Sequence, residues 1–120
     1  MWKCTAGQQR EKEATVHIVM WKFDVMEGKN RQDLLDTING AAPDFQGVPG
    51  LIRKYYGIAP DLKSVVEIYL WKSRAYADKF FNADWDGETS RRWESAPMMR
   101  QDFDAPMVVE SEQKRLVSEA

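Results

Sequence analysis

The chain has 120 residues, 43% of them hydrophobic and 30% charged, with one cysteine and one histidine. The length fits one domain with a core of ordinary size, and the single cysteine excludes an internal disulfide. One cysteine and one histidine also exclude a zinc site of the usual Cys/His kind and an iron–sulfur cluster with four protein ligands. The formal charge of −2, the pI near 5.4 and the dispersed basic residues argue against a nucleic-acid partner.

Both ends of the chain are predicted to be tails. Residues 1–13 show no periodicity, and Cys4 within them is interpreted as incidental rather than redox-active. This segment lacks the apolar stretch of a signal peptide, and the chain has no apolar span of membrane length. We therefore expect a cytoplasmic protein with no membrane partner. It would have a single domain over 14–112 and a tail or short helix over 113–120.

Four segments have strand character. The runs 15–25, 51–58 and 64–71 are rich in β-branched and aromatic residues, and a last strand is predicted within 98–109. Pro106 interrupts that last segment, which indicates an edge position or a bulge.

Helices are predicted between these strands. The first spans 31–39 after an Asn30 cap, and it either ends at Gly40 or continues to about Phe45. The second spans 74–81 after a Ser73 cap, with an inward face of Ala77, Phe80 and Phe81, and a further piece spans 85–93. The order β-α-β-β-α-β predicts a ferredoxin-like α+β fold, with a four-stranded antiparallel sheet and the helices on one face.

The two strands expected at the centre of this sheet are apolar on both faces. Val16, Ile18 and Met20 alternate with Val19, Trp21 and other large residues, and segment 64–71 repeats this pattern. Helices can cover only one face, so a second copy of the sheet is the simplest cover for the other. A homodimer is predicted. The alternative is that the C-terminal segment folds over the sheet.

Several short motifs support a family resemblance over residues 14–112. They are Pro49-Gly50 before the second strand, Ile68-Tyr69-Leu70-Trp71 at the end of the third, and Phe103-Asp104 with Val108 in the last. With these motifs the chain resembles the YdhR-like monooxygenases of the dimeric α/β-barrel superfamily, which also contains the antibiotic-biosynthesis monooxygenases. The resemblance implies a ferredoxin-like protomer that pairs into a barrel. It also implies oxidation of a small aromatic, phenolic or quinol-like molecule by O2, with no metal or organic cofactor.

The resemblance also suggests site residues. Trp71 matches a tryptophan that closes the third strand in the oxygenase branch, and Arg91 matches a later arginine. Glu67 stands where that branch has asparagine, and a carboxylate cannot donate a hydrogen bond unless it is protonated. With His17 as the one imidazole suited to proton transfer, the candidate catalytic residues are His17, Glu67, Trp71 and Arg91. The candidate substrate-binding residues are Trp21, Tyr55, Tyr69, Phe80, Phe81 and Trp85.

Structural roles compete with these assignments. Glu67 has a potential salt-bridge partner in Arg53 or Lys54 on the neighbouring strand, and a lone strand histidine such as His17 usually has a structural role. Trp71 is more often a packing residue than a catalytic one.

Other functions place different demands on these residues. A polyketide cyclase or isomerase would pair His17 with Tyr55, Tyr56 or Tyr69, and a non-catalytic dimer would bind a small ligand in the same place. Haem degradation is disfavoured, because Phe80 and Ser90 stand where that branch has tryptophan and a haem-ligating histidine. The RNA-binding module with this topology needs glycines that 63–70 lacks.

Overall fold

The computed structural model describes residues 9–13, 16–97 and 99–119. In chain order the elements are β1 Gln9–Glu13, β2 Val16–Asp24, α1 Arg31–Ala41, a 3₁₀ helix Ala42–Phe45, β3 Leu51–Ile58, β4 Ser64–Trp71, α2 Arg74–Phe80, α3 Ala83–Trp93, β5 Met99–Ala105, β6 Met107–Glu110 and β7 Arg115–Glu119. Strands β3-β4-β2-β5 form one antiparallel sheet in that order, with β2 and β4 at its centre. The predicted ferredoxin-like α+β fold is confirmed.

Helices α1 and α3 begin where polar caps satisfy their first N–H groups. Asn30 and Asp33 form a reciprocal capping box at the start of α1. The side chain of Asn82 accepts a hydrogen bond from the backbone N–H of Trp85 in α3. Ser73 occupies the predicted N-cap position of α2, but its side chain makes no capping hydrogen bond. Helix α1 leads directly into the 3₁₀ helix that ends at Phe45.

The central strands present their largest side chains to the helices. Val19 pairs with Tyr69, and Trp21 pairs with Glu67, which places all four on the helical face. Buried residues of both strands pack there against α1, α2 and α3 in two clusters. The opposite face carries the half-buried side chains Ile18, Met20, Val66, Ile68 and Leu70.

A second, small sheet forms from the chain ends, in the order β1-β7-β6. The segments 9–13 and 115–119 are therefore strands where the sequence led us to expect tails. Their pairing uses backbone hydrogen bonds between distant segments, which the polar sequence QREKE does not signal. Pro106 separates β5 from β6, and β5 lies at a sheet edge, as the proline indicated. Cys4 lies outside the described residues.

In the described ranges, every helix is too short or too polar to cross a membrane.

Two glycines should respond in opposite ways to alanine. Gly50 has a φ of +78°, and a Cβ there would lie 2.1 Å from Cγ of Tyr76, whereas Gly40 in α1 has nothing within 4 Å. We expect Gly50→Ala to lower the free energy of unfolding by about 1–3 kcal/mol. Gly40→Ala should raise it by about 0.5–1 kcal/mol, because alanine favours the helix. Urea unfolding followed by circular dichroism measures both, and a Gly50→Ala protein as stable as wild type would contradict the predicted clash.

Candidate functional site

A cavity of about 390 Å³ opens on the helical side of the sheet. Its walls come from the 3₁₀ helix and the loop after it, from α2 and from α3. The lining residues are Asp44, Phe45, Val48, Pro49, Tyr76, Lys79, Phe80, Asn82, Asp84, Trp85, Glu88 and Arg92. Cavities of this size hold small organic molecules, and here the inner wall is aromatic while the rim is charged. We call this space the aromatic cavity.

Three aromatic side chains form its inner wall. Trp85 is buried, and the rings of Phe45 and Phe80 lie 6.0 Å apart. Phe80 and Trp85 were predicted to bind substrate, and the structure places both at the cavity.

Of the other predicted substrate-binding residues, three form a second row behind this wall. Trp21 packs on Trp85 at 4.6 Å between ring centroids, and Phe81 packs on it at 4.8 Å. Tyr69 is fully buried and lies 6.2 Å from the Phe80 ring. Tyr55 is different, because it pairs with Ile68 on the opposite face of the sheet and is 51% exposed.

Glu67 is the centre of a buried polar cluster behind the aromatic wall. Its carboxylate is fully buried and accepts hydrogen bonds from Tyr69 Oη and Trp93 Nε1, both at 2.6 Å. The Lys54 ammonium lies 3.0 Å from Glu67 Oε1, so one of the two salt bridges proposed from the sequence is present. Three donors surround the Glu67 carboxyl group, and Glu67 is not among the residues that line the aromatic cavity.

Lys54 is the cation of this cluster, and its side chain is 5% exposed. Its ammonium donates to Tyr56 Oη at 2.8 Å and lies 3.2 Å from the centroid of the Phe45 ring. Burial lowers the pKa of Lys54 to about 8, although Glu67 acts in the opposite direction. Burial and the Glu67 charge raise the pKa values of Tyr56 and Tyr69 above the ordinary range, so both phenols stay neutral. Tyr69 donates its hydroxyl to Glu67, whereas the Tyr56 oxygen accepts from Lys54.

Trp71, a predicted catalytic residue, lies inside the core. Its indole is fully buried and stacks on Tyr69 at 5.8 Å, with 7° between the rings. Phe80 separates it from the cavity, at 5.3 Å between ring centroids. The structure therefore places Trp71 as support for the aromatic wall.

His17 lies at the other end of the same strands. It pairs with Trp71, whereas Glu67 pairs with Trp21 four residues further along β2, a separation of about 13 Å along the strand. Its Nε2–H donates to Asp102 Oδ2 at 2.7 Å, and its Nδ1 lies 3.4 Å from Asp104 Oδ1. His17 thus faces two carboxylates and not a tyrosine, which leaves the cyclase alternative without its proposed pair.

The His17 end of the sheet carries its own charge network. Arg100 donates two hydrogen bonds to Asp102 and a third to Asp78. In the described part of the chain, no group of three His, Cys, Asp or Glu side chains has an arrangement that could hold a metal ion.

Asp102 should contribute an acid-sensitive part of the stability. Burial acts to raise the pKa of Asp102, but hydrogen bonds from Arg100 and His17 outweigh it and lower that pKa. The contribution is therefore complete above the unfolded-state pKa near 3.9 and is lost as pH falls through the lower folded-state value. We expect Asp102→Asn to cost about 1–2 kcal/mol at neutral pH and much less in strong acid.

Urea midpoints measured across this pH range test that prediction. Asp104→Asn is the matched control, since this carboxylate is 77% exposed and its contact with His17 is long. Equal losses for the two variants at neutral pH would contradict the role assigned to Asp102.

Of the two neighbouring arginines on α3, the one that was not predicted to be catalytic lines the cavity. Arg91, the predicted catalytic arginine, is exposed on α3. Arg92 lines the aromatic cavity, and its guanidinium carbon lies 5.5 Å from the Phe45 ring centroid. Its Nη1 is buried with no hydrogen-bond partner among the described residues.

The position of Arg92 could have been read from the helix period. Arg92 follows Trp85 by seven residues, about two helical turns, so both lie on one face. The other residues missed from the sequence are Lys54, as more than a salt-bridge partner, and Trp93, whose indole donates to the buried carboxylate.

Known proteins resemble this chain in structure but not in sequence. No protein-family model matches the chain, and no curated protein is significantly similar to it in sequence. Protein SO0527 from Shewanella oneidensis matches 79% of this chain and 95% of its own, with a TM-score of 0.58 and 16% identity. A candidate antibiotic biosynthesis monooxygenase from Chloroflexus aurantiacus J-10-fl matches 75% of this chain and 92% of its own. Its TM-score is 0.53 and its sequence identity is 12%.

A further solved structure contains a ligand. The monooxygenase from the gene ActVA-Orf6 of Streptomyces coelicolor, in complex with nanaomycin D, matches 76% of this chain and 86% of its own. The TM-score is 0.53 and the identity 18%. The chain thus shares its fold with these three solved structures. At these identities the similarity extends to the fold, and the YdhR-like subfamily stays a prediction.

Proposed function

We propose that the protein is a cofactor-independent monooxygenase that oxidises a small aromatic phenol or quinol with O2. The observation that carries this proposal is the aromatic cavity with Arg92 in its wall, whose buried Nη1 has no acceptor among the described residues. The match in fold to the ActVA-Orf6 monooxygenase in complex with nanaomycin D supports it.

The cavity suits a flat substrate with an acidic oxygen. A ring stacks against Phe45, Phe80 and Trp85, and its oxygen accepts a hydrogen bond from Arg92. The guanidinium stabilises the phenolate, and the phenolic proton passes to water at the open rim. Glu67 and Trp71 support this wall from behind, and His17 belongs to a separate network.

The substrate itself supplies the electrons in this reaction. A phenolate is electron-rich enough to react with O2, and a ring C–H becomes a carbonyl while the second oxygen atom leaves as water. A phenol and O2 thus give a quinone and water, with atoms and electrons in balance. The protein contributes orientation, a charged hydrogen-bond donor and a largely dry aromatic surface.

Oxygen uptake tests the proposal. The purified protein is mixed with two- and three-ring phenols and quinols in an oxygen electrode, and products made under ¹⁸O2 are examined by mass spectrometry. We expect protein-dependent uptake and one ¹⁸O atom per product molecule. Uptake no faster than autoxidation with heat-denatured protein, across the whole series, would overturn the proposal; binding without uptake would favour the non-catalytic ligand-binding alternative.

We also propose that the functional unit is a homodimer. The sheet face opposite the helices carries half-buried aliphatic residues, with Tyr55 and Phe103 about half-exposed beside them. A second copy packed face to face would cover this surface. Sedimentation should give twice the chain mass, and Phe103→Glu should give the single mass, whereas a wild-type monomer at micromolar concentration contradicts the dimer.

A further inference from the structure

One ring separates the aromatic cavity from a second space. A groove of about 360 Å³ lies between the 3₁₀ helix and β3, and it is bordered by Lys54 and Tyr56. Phe45 is the residue that borders both the groove and the cavity, whereas Lys54 borders the groove and Arg92 borders the cavity. The Phe45 ring is therefore the partition between a buried ammonium and the proposed substrate space.

The ammonium of Lys54 is directed at this ring. It lies 3.0 Å from Glu67 Oε1 and donates to Tyr56 Oη at 2.8 Å. Of the three rings around it, that of Phe45 is nearest, at 3.2 Å from the centroid, against 4.3 Å for Tyr56 and 4.6 Å for Tyr69. The Lys54–Glu67 pair is thus a dipole whose positive end touches Phe45. Because the side chain is 5% exposed, water screens this charge poorly.

A cation on one face of an aromatic ring polarises the ring, and the electron density shifts towards the cation. The ring then favours an electron-rich partner on its free surface. A deprotonated phenol is more electron-rich than its neutral form, so the two forms should differ in their attraction to Phe45. Arg92, whose guanidinium carbon lies 5.5 Å from the same centroid, adds positive charge on the cavity side.

We propose that Lys54 is a positioning residue that acts through Phe45, making this ring the surface on which the substrate stacks as its phenolate. This inference rests on the proposed function and names the ionisation state that the cavity selects. The charged or titratable groups around Lys54 are Glu67 and Tyr69 on β4, Tyr56 on β3, Asp44 beside Phe45, and Arg92 on α3.

The ionisation of a bound phenol measures this effect directly. The probe is 4-nitro-1-naphthol, a two-ring phenol whose anion absorbs visible light, titrated without oxygen in the presence of saturating protein. The titration stays below about pH 7, where Lys54 is protonated because its pKa is about 8. We expect the bound probe to have a lower pKa than the free probe.

Three variants locate the cause. Lys54→Met should raise the pKa of the bound probe by about 0.5–1 unit, or roughly three- to tenfold less phenolate at a given pH. The double variant Lys54→Met/Glu67→Leu removes both charges, keeps the core apolar and should raise that pKa by a smaller amount. Lys63→Met, at an exposed lysine, should leave it unchanged.

A bound-probe pKa that is the same in wild type and in both Lys54 variants overturns the inference, and so does a wild-type protein that does not bind the probe. The readout needs no turnover, so the two proposals can fail separately. A shifted probe pKa without oxygen uptake removes the oxygenase and keeps the role of Lys54. Phenol oxidation by a protein that leaves the probe pKa unchanged keeps the oxygenase and removes the role of Lys54.

Discussion

Replacing Glu67 with alanine should lower the free energy of unfolding by about 3–5 kcal/mol, which is a large part of the stability of a small domain. The carboxylate is fully buried and balances the Lys54 ammonium, whose side chain is 5% exposed. Without it, a buried cation has no counter-charge, and the Tyr69 hydroxyl and the Trp93 indole lose their acceptor.

Urea unfolding measures this loss, with two variants for comparison. Glu67→Gln keeps the shape and an acceptor, and it should lose about 1–3 kcal/mol. Glu88→Ala removes an exposed glutamate on α3 and should change stability by less than about 0.5 kcal/mol. Equal stability of Glu67→Ala and Glu88→Ala would contradict the role assigned to Glu67 in the buried cluster that it forms with Lys54, Tyr69 and Trp93.

Arg92→Met should reduce kcat/KM for the proposed phenol oxidation about 100-fold, while Arg91→Met should leave it within about twofold of wild type. Arg92 is the guanidinium in the cavity wall, and its buried Nη1 has no protein acceptor among the described residues. Its neighbour Arg91 has the same chemistry but points to solvent, so the pair separates position from residue type.

Initial rates of oxygen uptake over a range of substrate concentrations give these values. Arg92→Lys should recover part of the loss, because an ammonium supplies charge but not the planar fork of donors. A larger loss in Arg91→Met than in Arg92→Met would return the role to the arginine that the sequence first suggested.

Local pattern was enough to predict most of the fold. Strands β3 and β4 coincide with the predicted 51–58 and 64–71, since their β-branched and aromatic runs end at clear turn residues. The β-α-β-β-α-β order correctly predicted β2 and β4 at the sheet centre. Strands β1 and β7 could not be predicted in this way, because a polar segment pairs only when a distant partner is in place.

The site was harder to predict because it depends on register between distant strands. Alternation along β2 put His17 on the same face as Trp21, but the pairing of β2 with β5 decides that Asp102 and Asp104 lie beside it. The sequence alone shows Glu67 as a carboxylate in an apolar strand, with Lys54 as one of two possible salt-bridge partners. The hydrogen bonds from Tyr69 and Trp93 to Glu67 could not be predicted, because Trp93 reaches the carboxylate only once α3 packs on the sheet.

The buried cluster around Glu67 also constrains how such a chain can change over generations. An ammonium at position 54 and a carboxylate at position 67 each tolerate burial because the other is present. Replacing either residue alone by a neutral one would leave the other charge buried without its partner, at a large loss of stability. Positions 54 and 67 should therefore covary among relatives of this chain.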